Sequence, residues 1–157
     1  MSLAVPSSPA VNGAAFRVAI VAARYNEVLV DALLARVLNG LTAAGVKAKN
    51  VTVVRVPGSH EVPVAAMMLA RPETADCVVG LGVLIGGDTN HHEMVGQSVS
   101  QALQRVALDT GVPVINGVIV TDTLAQARAR CTGKIDRGAE FASAALEMAA
   151  LKKRFSK

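Results

Sequence analysis

Four short apolar runs, at residues 16–22, 51–56, 77–85 and 112–120, are each followed by a stretch whose apolar side chains recur at helical spacing. This alternation constrains the chain more than any other feature. The first run, Phe16-Arg17-Val18-Ala19-Ile20-Val21-Ala22, is rich in β-branched residues and does not alternate apolar with polar, as a strand covered on both faces should look. Parallel strands need long crossovers, and the intervening helical stretches supply them. The expectation is therefore an α/β fold: a three-layer sandwich with a four-stranded parallel sheet and helices on both faces.

The punctuation between runs refines this reading. Asn26 is a candidate N-cap for a helix carrying Val30, Leu33, Leu34, Val37, Leu38 and Leu41, which Gly45 should stop. Pro57-Gly58 closes the second run, and a short helix is expected over residues 63–70 with Pro63 in its first turn. The third run leads over a glycine turn into a long helix with Val95, Val99, Ala102, Leu103 and Val106 on one face, ending at Gly111. Asn116-Gly117 should interrupt the fourth run. Thr121-Asp122-Thr123 should cap a helix through Arg130, and a last helix near residues 138–153 puts Phe141, Ala145 and Met148 on one stripe. The expected strand order is the flavodoxin-like 2-1-3-4.

The totals exclude several classes. At 157 residues the chain suits one domain, assigned to 16–157, behind an extended arm at 1–15 that lacks the pattern of a signal peptide. With 52% hydrophobic and 18% charged residues it is not disordered, and no apolar run approaches the ~20 residues that span a bilayer. No membrane association is expected. The apolar surplus suggests that other subunits cover part of the surface. A net charge of +4 could suggest nucleic acid, but the basic residues are scattered apart from Lys152-Lys153-Arg154, and aromatics make up only 3%. Cys77 and Cys131 show neither disulfide nor metal spacing, which fits a reducing, cytoplasmic setting.

In a sheet of this kind ligands bind beyond the C-terminal strand ends, at the switch point. The connections holding Tyr25, Ser59-His60-Glu61 and the segment from Gly86 to His91 should therefore converge. Gly82 to Glu93 runs from a strand over a glycine turn into a helix start, where free backbone N–H groups and the helix dipole favour an anion such as phosphate. His91 would stand beside that anion with a side chain able to exchange a proton near neutral pH. No Gly-Lys-Thr or Gly-Lys-Ser follows the turn and no three-glycine fingerprint is present, which argues against nucleotide-phosphate and dinucleotide sites. A metal on His91-His92-Glu93 is disfavoured, because adjacent helical residues point ~100° apart. Taken singly, Gly86-Gly87 reads as a tight turn, Glu61 as a solvated carboxylate, Tyr25 as packing and Arg130 as a surface charge.

Together these pieces resemble the lumazine synthase family over residues 16–153. The specific marks are Val56-Pro57-Gly58-Ser59-His60-Glu61-Val62-Pro63, the block from Gly82 to Val95 with Thr89 and His91, Gly111-Val112-Pro113-Val114-Ile115 with Gly117-Val118, Thr121-Asp122-Thr123, and Leu146-Glu147-Met148-Ala149. The resemblance implies a transferase of riboflavin biosynthesis. It would condense 5-amino-6-ribitylamino-uracil with 3,4-dihydroxy-2-butanone 4-phosphate to 6,7-dimethyl-8-ribityllumazine, phosphate and water, with no metal or organic cofactor.

By the same resemblance, Tyr25 would stack on the pyrimidine, Ser59, His60 and Glu61 would bind the ribityl chain, and the backbone of Val83, Leu84 and Ile85 would read the pyrimidine edge. Gly87, Asp88 and Thr89 would hold the phosphate, with Arg130 reaching it from a neighbouring subunit, and His91 would transfer protons. Asn116 stands where relatives have a Phe bordering the pocket across the subunit contact, and Arg137 takes the place of a basic residue near the pyrimidine. Gly86 replaces an Arg of many relatives, His60 replaces a large aromatic, and Asp88 adds a carboxylate to the phosphate turn.

Residues 131–138 are unlike the Gly-Lys-Ala-Gly-Asn pattern of capsid-forming relatives, so a homopentamer or decamer is expected rather than a sixty-subunit shell. Riboflavin synthase would be the pathway neighbour. The alternative within this fold is a non-catalytic flavin or lumazine carrier. A receiver-type signalling domain is disfavoured, since Ala22-Ala23-Arg24 stands where an acidic cluster would be needed.

Overall fold

A computed structural model describes residues 9–156. Strands β1 (Val18–Ala23), β2 (Val51–Val56), β3 (Cys77–Ile85) and β4 (Val114–Thr121) form one sheet in the order β2-β1-β3-β4, with every pairing parallel. Fold class and strand order are those expected from the sequence. Three helices connect the strands, α1 (Glu27–Ala43), α2 (Val62–Leu69) and α3 (His91–Thr110), and two follow β4, α4 (Leu124–Cys131) and α5 (Arg137–Phe155). None among the described residues is long and apolar enough to cross a membrane.

The unbroken apolar character of β1 has a direct cause. Val18, Ile20 and Ala22 point into the core layer beneath α1, α4 and α5, while Ala19, Val21 and Ala23 point into the layer beneath α2 and α3. Every residue of β1 is buried, so alternation would place a polar group in one core or the other. The edge strand β2 is more exposed, and Val53 faces outward. The first core layer is filled by Leu33, Val37 and Leu41 of α1 against Ala142, Ala145 and Leu146 of α5. Small residues let these two helices approach closely: a Cβ added at Gly40 would stand 2.7 Å from the Ala142 Cβ.

Several boundaries differ from expectation. β1 starts at Val18, because Arg17 turns aside: its backbone N donates to Asp76 Oδ2 at 2.8 Å and its guanidinium pairs with the same carboxylate at 3.3 Å. β4 begins later than residue 112 and is not interrupted: Asn116 and Gly117 pair in register with Gly80 and Leu81 of β3. A Cβ at Gly117 would lie 2.8 Å from the Gly80 carbonyl oxygen, so this glycine permits close strand packing instead of a turn. Asn26 sits before α1 but does not cap it with its side chain; it adopts a left-handed conformation at φ 56°. The buried stripe of α5 is Gly138, Ala142, Ala145, Leu146 and Ala149, while Phe141 is half-buried and Met148 is exposed. Of the arm expected at 1–15, residues 1–8 lie outside the described residues; Gly13 is buried and its N donates to Ala44 O at 2.7 Å.

Candidate active site

Sequence order reverses across the sheet at β1, so connections leaving β1, β2 and β3 at their C-terminal ends flank one crevice. A cleft of about 550 Å³ occupies it. Its walls come from three connections far apart in sequence: Tyr25 and Asn26 after β1, Gly58 to Glu61 after β2, and Gly87, Thr89, His91 and His92 after β3, with Val83, Leu84 and Ile85 as the floor. The convergence expected from the sequence is present.

Hydrogen bonds fix the first wall. The pairing of β1 with β2 continues past both strands, with Arg24 N donating to Val56 O at 2.9 Å and Tyr25 N to Pro57 O at 3.3 Å. Asn26 Nδ2 donates to Val83 O at 2.8 Å, tying the same turn to the end of β3. Asparagine tolerates the left-handed backbone this requires. The Tyr25 ring is 74% exposed and lies over Gly58, where a Cβ would stand 3.3 Å from ring carbon Cδ2. An aromatic face held open in this way can stack on a planar ligand.

Ser59 to Glu61 forms a single 3₁₀ turn ahead of α2. Glu61 Oε2 accepts from Gly58 N at 2.9 Å, which anchors the carboxylate at the cleft wall. Ser59 is only 4% exposed, and its hydroxyl has no hydrogen-bond partner among the described residues. It occupies space left by Gly82, whose absent Cβ would fall 2.3 Å from Ser59 Oγ.

The third wall is the glycine turn. Gly86 N donates to Thr121 O at 2.8 Å, and a Cβ at Gly86 would lie 2.6 Å from Asp122 O, so no larger residue fits this backbone. Gly87 has open space on its Cβ side. Asn90 precedes α3 without a side-chain cap, leaving the first N–H groups of the helix directed toward the turn. His91 is exposed in the first turn of α3, and Thr89 is exposed beside it.

The structure separates the remaining expected residues from this cleft within one chain. Asp88 is exposed and is not part of its lining. Asn116 lines a different groove with Ser100, Gln101 and Gln104, and its Oδ1 accepts from Val118 N at 3.1 Å. Arg130 Nη1 donates to Gln126 O at 2.9 Å, and Arg137 pairs with Glu140 along α5. Four cleft residues were passed over as site residues in the sequence, Asn26, Gly58, His92 and Val95; the titratable one is His92, whose side chain is only 12% exposed. Its signal was legible, since it shares the α3 face of Val95, Gly96 and Val99 at spacings of 3, 4 and 7. His92, Glu93 and Asp122 also place one possible metal-donor atom each within 4.8 Å of one another. His91 is not in that group, whereas the adjacent helical pair His92 and Glu93 is, so the ~100° offset between neighbours did not by itself keep two successive side chains apart.

Chemically the cleft offers a slot for a flat ring, polar groups for a hydroxylated chain, backbone donors for an anion, and an imidazole next to them. A family model described as 6,7-dimethyl-8-ribityllumazine synthase matches residues 15–153. Curated proteins named 6,7-dimethyl-8-ribityllumazine synthase are similar over nearly the full length. The protein of Mycolicibacterium vanbaalenii is 45% identical over 148 residues, covering 92% of each chain. That of Polaromonas sp. is 39% identical over 145 residues, again 92% of each. That of Bordetella petrii is 40% identical over 144 residues, covering 92% of this chain and 81% of its own.

Proposed function

This chain belongs to the 6,7-dimethyl-8-ribityllumazine synthase family, and on that premise we propose that it condenses 5-amino-6-ribitylamino-uracil with 3,4-dihydroxy-2-butanone 4-phosphate. The observation that carries this reading is the meeting of Tyr25, Ser59 to Glu61, the Gly87–Thr89 turn and His91 around one cleft. Tyr25 stacks on the pyrimidine, and backbone groups of Val83 to Ile85 read its edge. Ser59, His60 and Glu61 take the ribityl hydroxyls, with the carboxylate as acceptor. The turn at Gly87, Asp88 and Thr89 binds the phosphate through N–H groups and the Thr89 hydroxyl. The exposure of Asp88 away from the cleft lining supports contact through its backbone alone.

The chemistry follows from this placement. The substrate amine adds to the ketone and water leaves to give an imine. Phosphate then departs by β-elimination, and the ring closes with loss of a second water. Each step moves a proton, and His91 beside the turn is placed to carry it, a contribution of ~10²–10⁴ in rate. Holding two substrates in register supplies much of the remainder.

Arg130, Asn116 and Arg137 lie away from the cleft of their own chain, which supports their acting at a neighbouring subunit's site. The assembly is thus a homo-oligomer, and we infer a pentamer or decamer in the cytoplasm, passing its product to riboflavin synthase. Mixing the two substrates and following lumazine fluorescence tests the activity. Steady product formation is expected; a protein that binds added product without forming any is a carrier, and the enzymatic reading fails.

A further inference from the structure

Arg36 on α1 has no part in the mechanism above, yet its guanidinium reaches the connection between α4 and α5, meeting Gly133 97 residues further along the chain. Its side chain is only 24% exposed. Nη2 donates to Gly133 O at 2.9 Å and Nη1 to Ile135 O at 3.5 Å, while Asp136 Oδ1 lies 3.6 Å from Nη1. Two of these partners have a second task. Ile135 O also accepts from Arg137 N at 3.0 Å, and Asp136 Oδ1 caps α5 by accepting from Ala139 N at 3.0 Å. Gly138 packs on the root of the same side chain so closely that a Cβ there would fall 2.3 Å from the Arg36 Cβ. Arg137 is thus bracketed: the Arg36 guanidinium grips residues 133–136 before it, and the Arg36 stem lies against residue 138 after it.

The first turn of a helix has no acceptors of its own for its N–H groups, and it frays unless something outside holds it. Arg137 is the first residue of α5, so the aim of its long side chain depends on how that turn is held. A guanidinium suits the task, since its planar fork serves two carbonyls and a carboxylate at once and never loses its charge. Glu140 pairs with the far end of Arg137 and fixes its guanidinium along α5. The preceding helix needs no such clamp. Ala127 and Cys131 of α4 are fully buried in the first core layer, so Arg130 is anchored without Arg36. We infer that Arg36 is a positioning residue for Arg137, holding its backbone where the side chain reaches the pyrimidine slot of a neighbouring subunit. This inference rests on the place proposed above for Arg137. It ties recognition of the pyrimidine amine on one subunit to the contact between α1 and the α4–α5 connection on the next.

Kinetics with each substrate varied in turn test it on the wild type, Arg36→Met, Arg137→Ala and the double variant. Arg36→Met keeps an apolar stem against Gly138 and removes every donor. It raises the KM for the pyrimidine amine roughly two- to tenfold, the order of one neutral hydrogen bond. The KM for the phosphorylated ketone stays unchanged, because Arg130 keeps its place. Arg137→Ala gives a larger rise for the pyrimidine amine, roughly ten- to a hundredfold, as the loss of a charged partner does. In the Arg137→Ala background Arg36→Met adds nothing, since a positioning residue acts only through the group it positions. A general loss of stability does not produce that pattern. Equal KM rises for both substrates, no rise for either, or an effect of Arg36→Met that persists without Arg137 overturns the proposal. So does an unchanged KM in Arg137→Ala, which removes Arg137 from the site and leaves the condensation itself standing. Should Arg36→Met fail to fold, Arg36→Lys, which keeps the charge opposite Asp136 but not the fork, is read in the same way. A wild type that makes no lumazine sinks the condensation reading instead. Calorimetric binding of 5-amino-6-ribitylamino-uracil alone then tests Arg36: weaker binding to Arg36→Met, with no such difference in the Arg137→Ala background, supports its role, and equal binding overturns it.

Discussion

His91 and His92 are neighbours of identical type in different surroundings, and helix phase separates them. His91 projects into solvent at the cleft mouth, where a proton carrier needs access; His92 turns inward beside Asp122. Because proximity and the anion turn survive without the imidazole, His91→Ala should lower kcat by ~10²–10⁴ without abolishing product formation, as single-turnover fluorescence would show. Complete loss in a folded variant would point to a covalent role. Cys77 makes a different kind of residue-scale statement. Burial in β3 pushes its thiol from 9.0 up to about 12, against a smaller opposing effect of Lys152. The folded chain keeps this proton between those values while the unfolded chain loses it, so the native state holds more protons there and stability falls as pH rises from 9 toward 12. Denaturant unfolding of Cys77→Ala should therefore weaken less steeply between pH 9 and 11 than that of the wild type, the difference vanishing below pH 9.

At the scale of elements, the close packing of α5 on α1 decides much of the first core layer. Gly138 lies at the start of α5, where a Cβ would fall 2.3 Å from the Arg36 Cβ and 3.0 Å from the Leu33 carbonyl oxygen, and backbone cannot yield as a side-chain tip can. Gly138→Val should cost about 1–3 kcal/mol, read as a lower urea midpoint, since overpacking displaces the whole helix. An unchanged midpoint would show that α5 shifts at no cost. The expectations that failed at this scale share a cause. Asn116-Gly117 looked like an interruption because both residues favour turns, but pairing with Gly80 and Leu81 overrides local preference. Asn26 looked like a side-chain cap because of its type and place. Its amide instead meets the Val83 carbonyl, 57 residues away in sequence, a partner that no local pattern reveals.

For the molecule as a whole, exposed apolar side chains are numerous: Val28, Val64, Met68, Met94, Leu108 and Phe155 are each at least 60% exposed. Such surface suits a chain covered by copies of itself. Sedimentation velocity should show a pentamer or decamer, with monomer absent at micromolar concentration; a monomer alone would remove Arg130, Asn116 and Arg137 from the proposed site.

The order of strands and helices, the two-sided burial of β1 and the placing of three connections at one end of the sheet were determined by the sequence itself. Hydrophobic period and turn residues are local signals, and parallel topology leaves few ways to join them. Tertiary structure alone decided which side chains use that cleft. Asn26 reaching Val83, Ser59 filling the space left by Gly82, and Gly86 admitting Asp122 to His92 are all meetings between distant segments. They depend on ångström-scale distances between backbones, which the pattern of residue types along one chain does not encode.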